Sequence, residues 1–193
     1  MRVRRLSLLC ALCTALLFSV NSTAQDSSRV EIFGGYTYTR YPVFNLYSGP
    51  WTRTGFNGWD ASAAFKLAPH IGLEGDFSGA YTSYTVNSYY YSLRTYMGGP
   101  RVSANFGKVD LYGHVLVGGL TFHSQNGGTT GTSFAAALGG GVDWWLKPHF
   151  GVRPVQFDYL VNTNSAAFGG NSGPSQPRSN YRIVTGVVFR FGR

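Results

Sequence analysis

Apolar and polar residues alternate along the last stretch of the chain. Between Tyr181 and Phe191 every second residue is apolar, aromatic or a threonine, whereas the intervening set includes Arg182 and Arg190. Successive side chains of a β-strand point to opposite faces, so this segment has one apolar face and one charged face. A charged face cannot form a dry protein core. The pattern is typical of a barrel strand whose apolar face contacts lipid and whose other face lines the lumen.

The same period of two recurs in seven earlier segments. Each is roughly as long as the 9–11 residues that a tilted strand needs to cross the hydrocarbon layer. The eight predicted strands cover residues 29–40, 56–67, 71–81, 91–104, 109–121, 133–146, 150–161 and 181–191. Their connections alternate between short turns at 68–70, 105–108 and 147–149 and longer loops at 41–55, 82–90, 122–132 and 162–180. Short periplasmic turns and long outer loops predict an all-β fold, an eight-stranded antiparallel up-and-down transmembrane β-barrel.

Acidic residues indicate which face lines the lumen. From Glu31 onward, every Asp and Glu falls on the face opposite the apolar one. Charge on the lipid face costs free energy near the bilayer centre, whereas a lumen tolerates it. The predicted polar network of the lumen consists of Glu31, Asp60, Glu74, Asp76, Arg101, His114, Asp143, Arg153, Gln156, Asp158, Arg182 and Arg190.

Opposite charges of this network fall at similar depths on neighbouring strands. The expected pairs are Arg101 with Glu74 or Asp76, Arg153 with Asp143, Arg182 with Asp158, and Arg190 with Glu31. One interpretation is a polar plug, in which pairing satisfies buried charge. The alternative is a narrow, porin-like ion path gated by a pair such as Asp76 and Arg101 that exchanges partners. Eight strands leave a lumen that side chains nearly fill, which favours the plug and leaves no open cleft for acid–base catalysis.

Two features depart from the strict alternation. Arg94 shares the lipid-facing side of the fourth strand and fits there only if it lies above the membrane. Arg153 and Gln156 are three residues apart, yet both belong in the lumen. An extra residue in the strand resolves this conflict. We therefore predict a β-bulge at Pro154-Val155, where a proline without a backbone N–H donor is tolerated.

Aromatic residues mark where the barrel meets the two membrane surfaces, because amphipathic rings prefer the depth of the lipid headgroups. The predicted interface aromatics are Tyr36, Tyr38, Trp59, Tyr81 and Tyr96 at the outer surface and Phe65, Trp144 and Phe191 at the inner surface. Further tyrosines lie in the first two outer loops among Ser, Asn and Gly. That composition suits contact with an extracellular surface or glycan, although the same rings can extend the outer girdle.

The first 24 residues are predicted to be a cleaved secretory signal. Three arginines precede an apolar stretch over residues 6–20, and a Ser-Thr-Ala sequence at 22–24 supplies small residues for cleavage. Both cysteines, Cys10 and Cys13, lie in this segment, so disulfides and cysteine metal sites are not expected in the mature chain. The mature chain, 25–193, has the length of one domain and is predicted to be the outer-membrane barrel.

The charge of the mature chain is modest. The whole chain has 16 basic and 8 acidic residues, and removal of Arg2, Arg4 and Arg5 with the signal leaves 13 basic residues, a net charge of about +5. No basic cluster or recognition helix accompanies this excess, so nucleic acid is not an expected partner. No residue spacing indicates a metal site, and no cofactor is expected.

Seven ordered segments of the mature chain resemble the OmpA-like outer-membrane barrel domain family. They are VEIFGGY at 30–36, GWDAS at 58–62, HIGLEGDF at 70–77, GGPR at 98–101, ALGGGVD at 137–143, RPVQFDY at 153–159 and GVVFRF at 186–191. The resemblance covers the whole mature chain and implies eight antiparallel strands in the outer membrane of a diderm bacterium. It also implies outer-membrane lipids, lipopolysaccharide and the barrel-assembly machinery as partners. No segment resembles the periplasmic peptidoglycan-binding domain of full-length OmpA, so tethering to the cell wall is not expected.

These features lead us to interpret the protein as a monomeric, non-enzymatic outer-membrane barrel with a role in envelope structure or surface contact. The ion pore is the alternative from the transport class. A further alternative is an enzyme, because His123 and Ser124 lie at the mouth of the third loop, where lipid A-deacylating barrels hold a His/Ser pair. Adjacent strand residues face opposite ways and no carboxylate lies nearby in the sequence to orient the histidine, so catalysis is not expected.

Overall fold

The computed structural model describes residues 30–44, 51–84, 89–124, 129–163 and 179–192. The strands are β1 (Val30–Phe44), β2 (Trp51–Ala68), β3 (Ile71–Tyr84), β4 (Tyr89–Phe106), β5 (Val109–Ser124), β6 (Thr129–Lys147), β7 (Phe150–Asn162) and β8 (Ser179–Phe191). Each strand pairs antiparallel with its sequence neighbours, and β8 pairs with β1, which closes the barrel. The predicted eight-stranded antiparallel up-and-down barrel is confirmed. The predicted signal at 1–24 lies outside the described residues.

The strands are longer than predicted at the end where the outer loops join them. β1 continues to Phe44 and not only to residue 40, and β6 begins at Thr129 and not at 133. Backbone N–H and C=O groups of neighbouring strands continue to pair beyond the apolar band, because the antiparallel ladder gives each of them a partner there as well. Parts of all four predicted outer loops are therefore strand. Within the described ranges, no helix has the length and apolar composition needed to span a bilayer.

Three short turns join the strands at the other end of the barrel, where the sequence predicted them. Each leaves two residues outside the strands, namely Pro69-His70, Gly107-Lys108 and Pro148-His149. Gly107 has a φ of +74°, a left-handed conformation that favours glycine. Its backbone N–H donates a hydrogen bond of 3.1 Å to the side-chain oxygen of Asn105.

The predicted β-bulge in β7 is confirmed. Arg153 pairs with Gly186 and Gln156 with Val184, so two residues of β7 lie opposite the single residue between them in β8. That residue, Thr185, donates its hydroxyl to the carbonyl oxygen of Arg153 at 3.1 Å. Because a bulge shifts the alternation by one residue, the side chains of Arg153 and Gln156 both point into the barrel.

The outer wall of the barrel is apolar. Large hydrophobic side chains there expose about half of their surface, for example Phe77 at 57% and Leu138 at 64%. All seven described carboxylates, in contrast, are inside the barrel and are 3% exposed or less. This is the reverse of a water-soluble domain, whose charged side chains lie almost entirely outside. The arrangement matches a barrel surrounded by hydrocarbon.

Aromatic rings of the outer wall lie flat over glycines on neighbouring strands. A Cβ atom placed on Gly79 would lie 2.8 Å from Nε1 of Trp59, and one placed on Gly119 would overlap the Tyr96 ring. Glycine is therefore required for these close approaches. The rings belong to the predicted outer girdle, and they pack against the barrel wall while remaining nearly half exposed.

Candidate functional site in the barrel lumen

The half of the lumen nearest the short turns holds a dense set of buried polar side chains. We call this set the charged layer, and it comprises Glu31, Asp60, Lys66, Glu74, Asp76, Arg101, Tyr112, His114, Asp143, Arg153, Gln156, Asp158 and Arg182. The structure places every member of the predicted lumen network on the inner face. Arg190 lies at the end of this face that is nearest the short turns. Sequence reasoning left out Lys66 and Tyr112, which lie on the same inner face.

Arg101 joins three carboxylates from three different strands. Its guanidinium lies 3.1 Å from Glu31, 3.2 Å from Asp143 and 3.8 Å from Glu74. Glu31 also contacts Lys66 at 2.8 Å. The Arg101 guanidinium lies 3.9 Å from the centre of the Tyr112 ring, a cation–π geometry. This one side chain therefore ties β1, β3, β4, β5 and β6 together across the lumen.

Arg153 forms a two-point contact with Asp143. Its Nε and Nη2 atoms donate to the two carboxylate oxygens at 2.7 and 3.0 Å. Its Nη1 atom donates to Oε1 of Gln156 at 2.8 Å, and the hydroxyl of Tyr112 donates to the same oxygen at 2.6 Å. The guanidinium also lies between the rings of Phe33 and Tyr112, at 4.2 and 4.5 Å. Each of the three guanidinium nitrogens thus donates a hydrogen bond, and two aromatic rings lie near the cation.

Arg182 is surrounded by three carboxylates further along the lumen. It contacts Asp76 through two bonds of 2.7 and 3.0 Å, Asp158 at 2.6 Å and Asp60 at 3.0 Å. The hydroxyl of Ser78 accepts a further hydrogen bond at 3.3 Å. The guanidinium is fully buried, so no water screens these charges. Bidentate arginine–carboxylate pairs of this kind are among the strong hydrogen bonds in proteins.

His114 connects the two arginine clusters. Its Nδ1 lies 2.9 Å from Glu74, which borders Arg101, and its Nε2 lies 2.9 Å from Asp158, which borders Arg182. Ionised carboxylates only accept hydrogen bonds, so an imidazole with a proton on each nitrogen satisfies both contacts. Gln156 makes a second connection, because its amide nitrogen donates to Asp158 at 2.9 Å. The charged layer is therefore one continuous network.

The half of the lumen nearest the outer loops holds an apolar cluster beside a few buried, uncharged polar side chains such as Asn162 and Asn180. We call this cluster the apolar plug, and it comprises Tyr41, Phe56, Ala80, Leu93, Met97, Leu116, Leu120, Phe122, Ala135, Ala137 and Leu160, all 5% exposed or less. The rings of Tyr41 and Phe122 stack at 6.0 Å between centroids, and Phe56 meets both edge-on. The sequence predicted the polar network but did not predict this apolar set. Tyr41, assigned to the first loop, belongs to this plug.

Of the four predicted ion pairs, one is absent from the structure, and the two alternatives for Arg101 are decided in favour of Glu74. Arg190 does not contact Glu31, although the two residues lie opposite each other in the pairing of β1 and β8. Its guanidinium donates to the carbonyl oxygen of Pro148 and lies 4.1 Å from the Trp145 ring. Asp76 contacts Arg182, and Glu74 is the residue that contacts Arg101. The other two pairs, Arg153 with Asp143 and Arg182 with Asp158, are present.

His123 and Ser124 do not form a pair. His123 lies on the outer wall, and its Nδ1 is 2.7 Å from the hydroxyl of Thr130 on β6. The described carboxylates are all inside the barrel, so none of them can orient this imidazole. Among the described residues there is also no group of three His, Cys, Asp or Glu side chains with the geometry of a metal site.

Several solved structures share this fold, among them two outer-membrane proteins. Neisserial surface protein A, NspA, has a TM-score of 0.64 at 10% identity, over 84% of this chain and 97% of that protein. Ail, the attachment invasion locus protein of Yersinia pestis, has a TM-score of 0.54 at 16% identity, over 86% of this chain and 99% of that protein. Both are small eight-stranded outer-membrane barrels. No protein-family model and no curated protein matches the sequence. Identities this low show a shared fold and nothing finer.

Proposed function

We propose that this protein is an integral outer-membrane barrel that contributes to envelope structure or surface contact and catalyses no reaction. The observation that carries the proposal is the inverted surface, with hydrocarbon-compatible side chains outside and every described carboxylate inside. The fold shared with NspA and Ail supports the outer membrane as its location. A closed barrel has no free strand edge, which is the condition for a sheet to exist in lipid.

The two-part filling of the lumen supports a structural role over an ion path. An ion that crossed the barrel would pass the charged layer and then the apolar plug, where the side chains of Leu116, Leu120 and Phe122 offer no group to replace its water. Apolar constrictions block ions because the ions cannot give up their hydration there. In the charged layer each arginine is held by several partners, so exchange of one partner leaves the others in place.

Surface contact is proposed from the loops that join the strands beyond the outer girdle. Their tyrosines and small polar residues give large contact area with adaptable hydrogen bonding. Most of these loop residues lie outside the described ranges, so the support comes from composition and from the length of the strands that carry them. An enzymatic role for His123 receives no support, because no described carboxylate faces it.

Fractionation and conductance together test this proposal. The protein should be found in the outer-membrane fraction, and unheated samples should migrate differently from boiled ones on a gel, as closed barrels do. Planar-bilayer recordings of the purified protein should show no discrete conductance. A matched variant, Leu120→Ser with Phe122→Ser, should open a measurable leak while keeping the gel shift. Discrete channels in the unmodified protein would contradict the proposed role and favour the ion pore.

A further inference from the structure

Cations project from the outer wall at the end where the long loops join. These cations are Arg40, Arg53 and Arg94, which are exposed on the outward face, and His123 lies on the same face. The described carboxylates are all buried in the lumen, so no acidic side chain among them faces these groups. The rim of the barrel therefore carries positive charge without a balancing negative charge from the described part of the chain.

A cavity on one side of the wall brings Arg94 together with His123. It has a volume of about 560 Å³ and is lined by Arg94 and His123 together with Tyr81, Tyr90 and Ser92. Tyr81 and Tyr90 are about half exposed, at 47% and 54%. The cavity thus combines cationic and hydroxyl groups with two amphipathic rings, and it opens on the face that contacts the membrane.

The strand register explains why Arg94 is available to a ligand. Arg94 lies opposite Gly79 on β3 and Thr121 on β5, and neither of these residues has a charged side chain. The side chain of Arg94 makes no hydrogen bond or ion pair with any other described residue. Arg40 differs, because it already donates to the hydroxyl of Tyr181 at 3.2 Å.

His123 lies beside this arginine on the next strand. It is directly opposite Ser92 in the register of β4 and β5, which places both side chains on the outer wall two residues from Arg94. Its Nδ1 is occupied by Thr130 at 2.7 Å. With that nitrogen bound, Nε2 is the atom directed to a ligand, and it makes no hydrogen bond to another described residue.

The depth of the cavity indicates what kind of ligand it meets. Arg94 is two residues further out along β4 than Tyr96, a ring of the outer aromatic girdle. Two residues of a tilted strand advance by about 5 Å along the membrane normal. Since girdle rings lie at the level where acyl chains meet headgroups, the guanidinium of Arg94 lies at the level of the headgroups themselves.

We infer that Arg94 and His123 form a binding site for a phosphate group of a phosphorylated glycolipid in the outer leaflet. The guanidinium of Arg94 donates to the phosphate oxygens, Nε2 of His123 and the hydroxyl of Ser92 add further polar contacts, and Tyr81 and Tyr90, which lie further out, pack against the sugar. Arginine recognises phosphate through paired N–H donors, which a surface of diffuse charge does not provide. This inference rests on the proposed outer-membrane location.

Binding of purified lipids to the detergent-solubilised barrel tests the site. Native mass spectrometry measures retention of lipid A with its phosphates, of the same lipid A after phosphatase treatment, and of inorganic phosphate alone. We expect the phosphorylated lipid to bind the unmodified protein about tenfold more tightly than the dephosphorylated one. Equal retention of both lipids overturns the inference. Inorganic phosphate that binds as tightly as the phosphorylated lipid also overturns it, because the site would then serve a free anion.

Variants separate this site from general charge attraction. The double variant Arg94→Ala with His123→Ala should lose its preference for phosphorylated lipid, a loss of about tenfold in affinity. Arg53→Ala removes an exposed cation that lies away from the cavity, and it should change the affinity for phosphorylated lipid by less than about twofold. Equal losses in both variants contradict a built site. The heat-dependent gel shift confirms that each variant is folded. Absence of lipid binding with correct outer-membrane fractionation refutes the site alone, whereas fractionation elsewhere refutes the proposed function.

Discussion

The two halves of the lumen fill the same cylinder in opposite ways. Near the short turns, Arg101 and Arg182 each hold three carboxylates from other strands, and Arg153 holds Asp143 and Gln156. Near the outer loops, leucines and aromatic rings form the apolar plug, and the polar side chains buried beside it, such as Asn162 and Asn180, are uncharged. Both halves are buried, with side chains mostly below 6% exposed. The two halves differ in what they specify. Ion pairs fix which strand lies opposite which, whereas apolar packing depends mainly on the volume of the side chains.

The two ends of a narrow barrel can therefore have different roles in its folding and stability. Buried ion pairs are weak evidence for stability, since the loss of hydration offsets much of their attraction. They make the wrong register costly, however, because a shifted strand would leave a charge without a partner. The apolar plug adds stability and excludes ions and water. Each of the following changes tests whether the two halves differ in this way.

The largest effect is expected from Arg182→Ala. The change leaves Asp60, Asp76 and Asp158 close together in a buried site without their cation, and such a loss costs about 3–5 kcal/mol in the free energy of unfolding. Urea titration of the refolded barrel in lipid vesicles, followed by tryptophan fluorescence, measures it. Arg53→Ala serves as control, since Arg53 is exposed, and should cost about 0.5 kcal/mol or less. Equal losses of unfolding free energy for the two arginine variants would contradict a buried network around Arg182.

The apolar plug should respond to loss of volume. Leu116 is completely buried, and Leu116→Ala should cost about 3 kcal/mol through lost burial and the cavity left behind. Leu116→Met keeps most of the volume and should cost less than about 1.5 kcal/mol. The same urea titration compares them. A methionine variant as unstable as the alanine variant would mean that the plug depends on exact shape, as the charged layer does.

A conservative change should be less tolerated in the charged layer than in the plug. Arg182→Lys keeps the charge but loses the two-point contact with Asp76 and cannot reach all three carboxylates, so it should cost about 2 kcal/mol. The comparison is made with Leu116→Met under identical conditions. If lysine restores full stability, charge alone accounts for this cluster and the fixed geometry of the guanidinium has no role.

The smallest effect is expected from Asp60→Asn. Asp60 has one contact, 3.0 Å from Arg182, and its Oδ1 atom makes no hydrogen bond, while Asp76 and Asp158 remain beside the same guanidinium. Removing one of three neighbouring negative charges also relieves their mutual repulsion, so the net change should be within about 1 kcal/mol. Asp158→Asn should cost more, because Asp158 also accepts from His114 and Gln156. The reverse order would contradict the described network.

Much of the fold follows from the alternation of residues alone. Period two in strands such as 181–191 fixes which side chains share a face, and the position of the carboxylates decides which face is the lumen. The bulge in β7 was predictable for the same reason, since Arg153 and Gln156 could not otherwise share the lumen. The strand ends were less predictable, because hydrogen-bonded pairing continues past the apolar band.

The apolar plug was missed for a physical reason. Leu116 and Leu120 have the same parity as His114 in β5, so alternation places them in the lumen. The sequence of one strand, however, does not show which residues of other strands they contact. Only the register between strands shows that they meet residues such as Leu160. The turn of Arg190 away from Glu31 was likewise unpredictable, because depth on a strand does not fix the direction of a long side chain.

Two adjacent tryptophans allow the most direct test of the central claim, that hydrocarbon surrounds the apolar wall. Trp144 is 51% exposed on the outer wall, whereas Trp145 is 3% exposed inside the barrel. Single-tryptophan variants, made by changing Trp51, Trp59 and one of this pair to Phe, are refolded into vesicles whose acyl chains are brominated near the headgroup, and the gel shift confirms folding. We predict strong quenching of Trp144 fluorescence and little quenching of Trp145. Quenching of Trp145 with Trp144 unaffected would contradict the account.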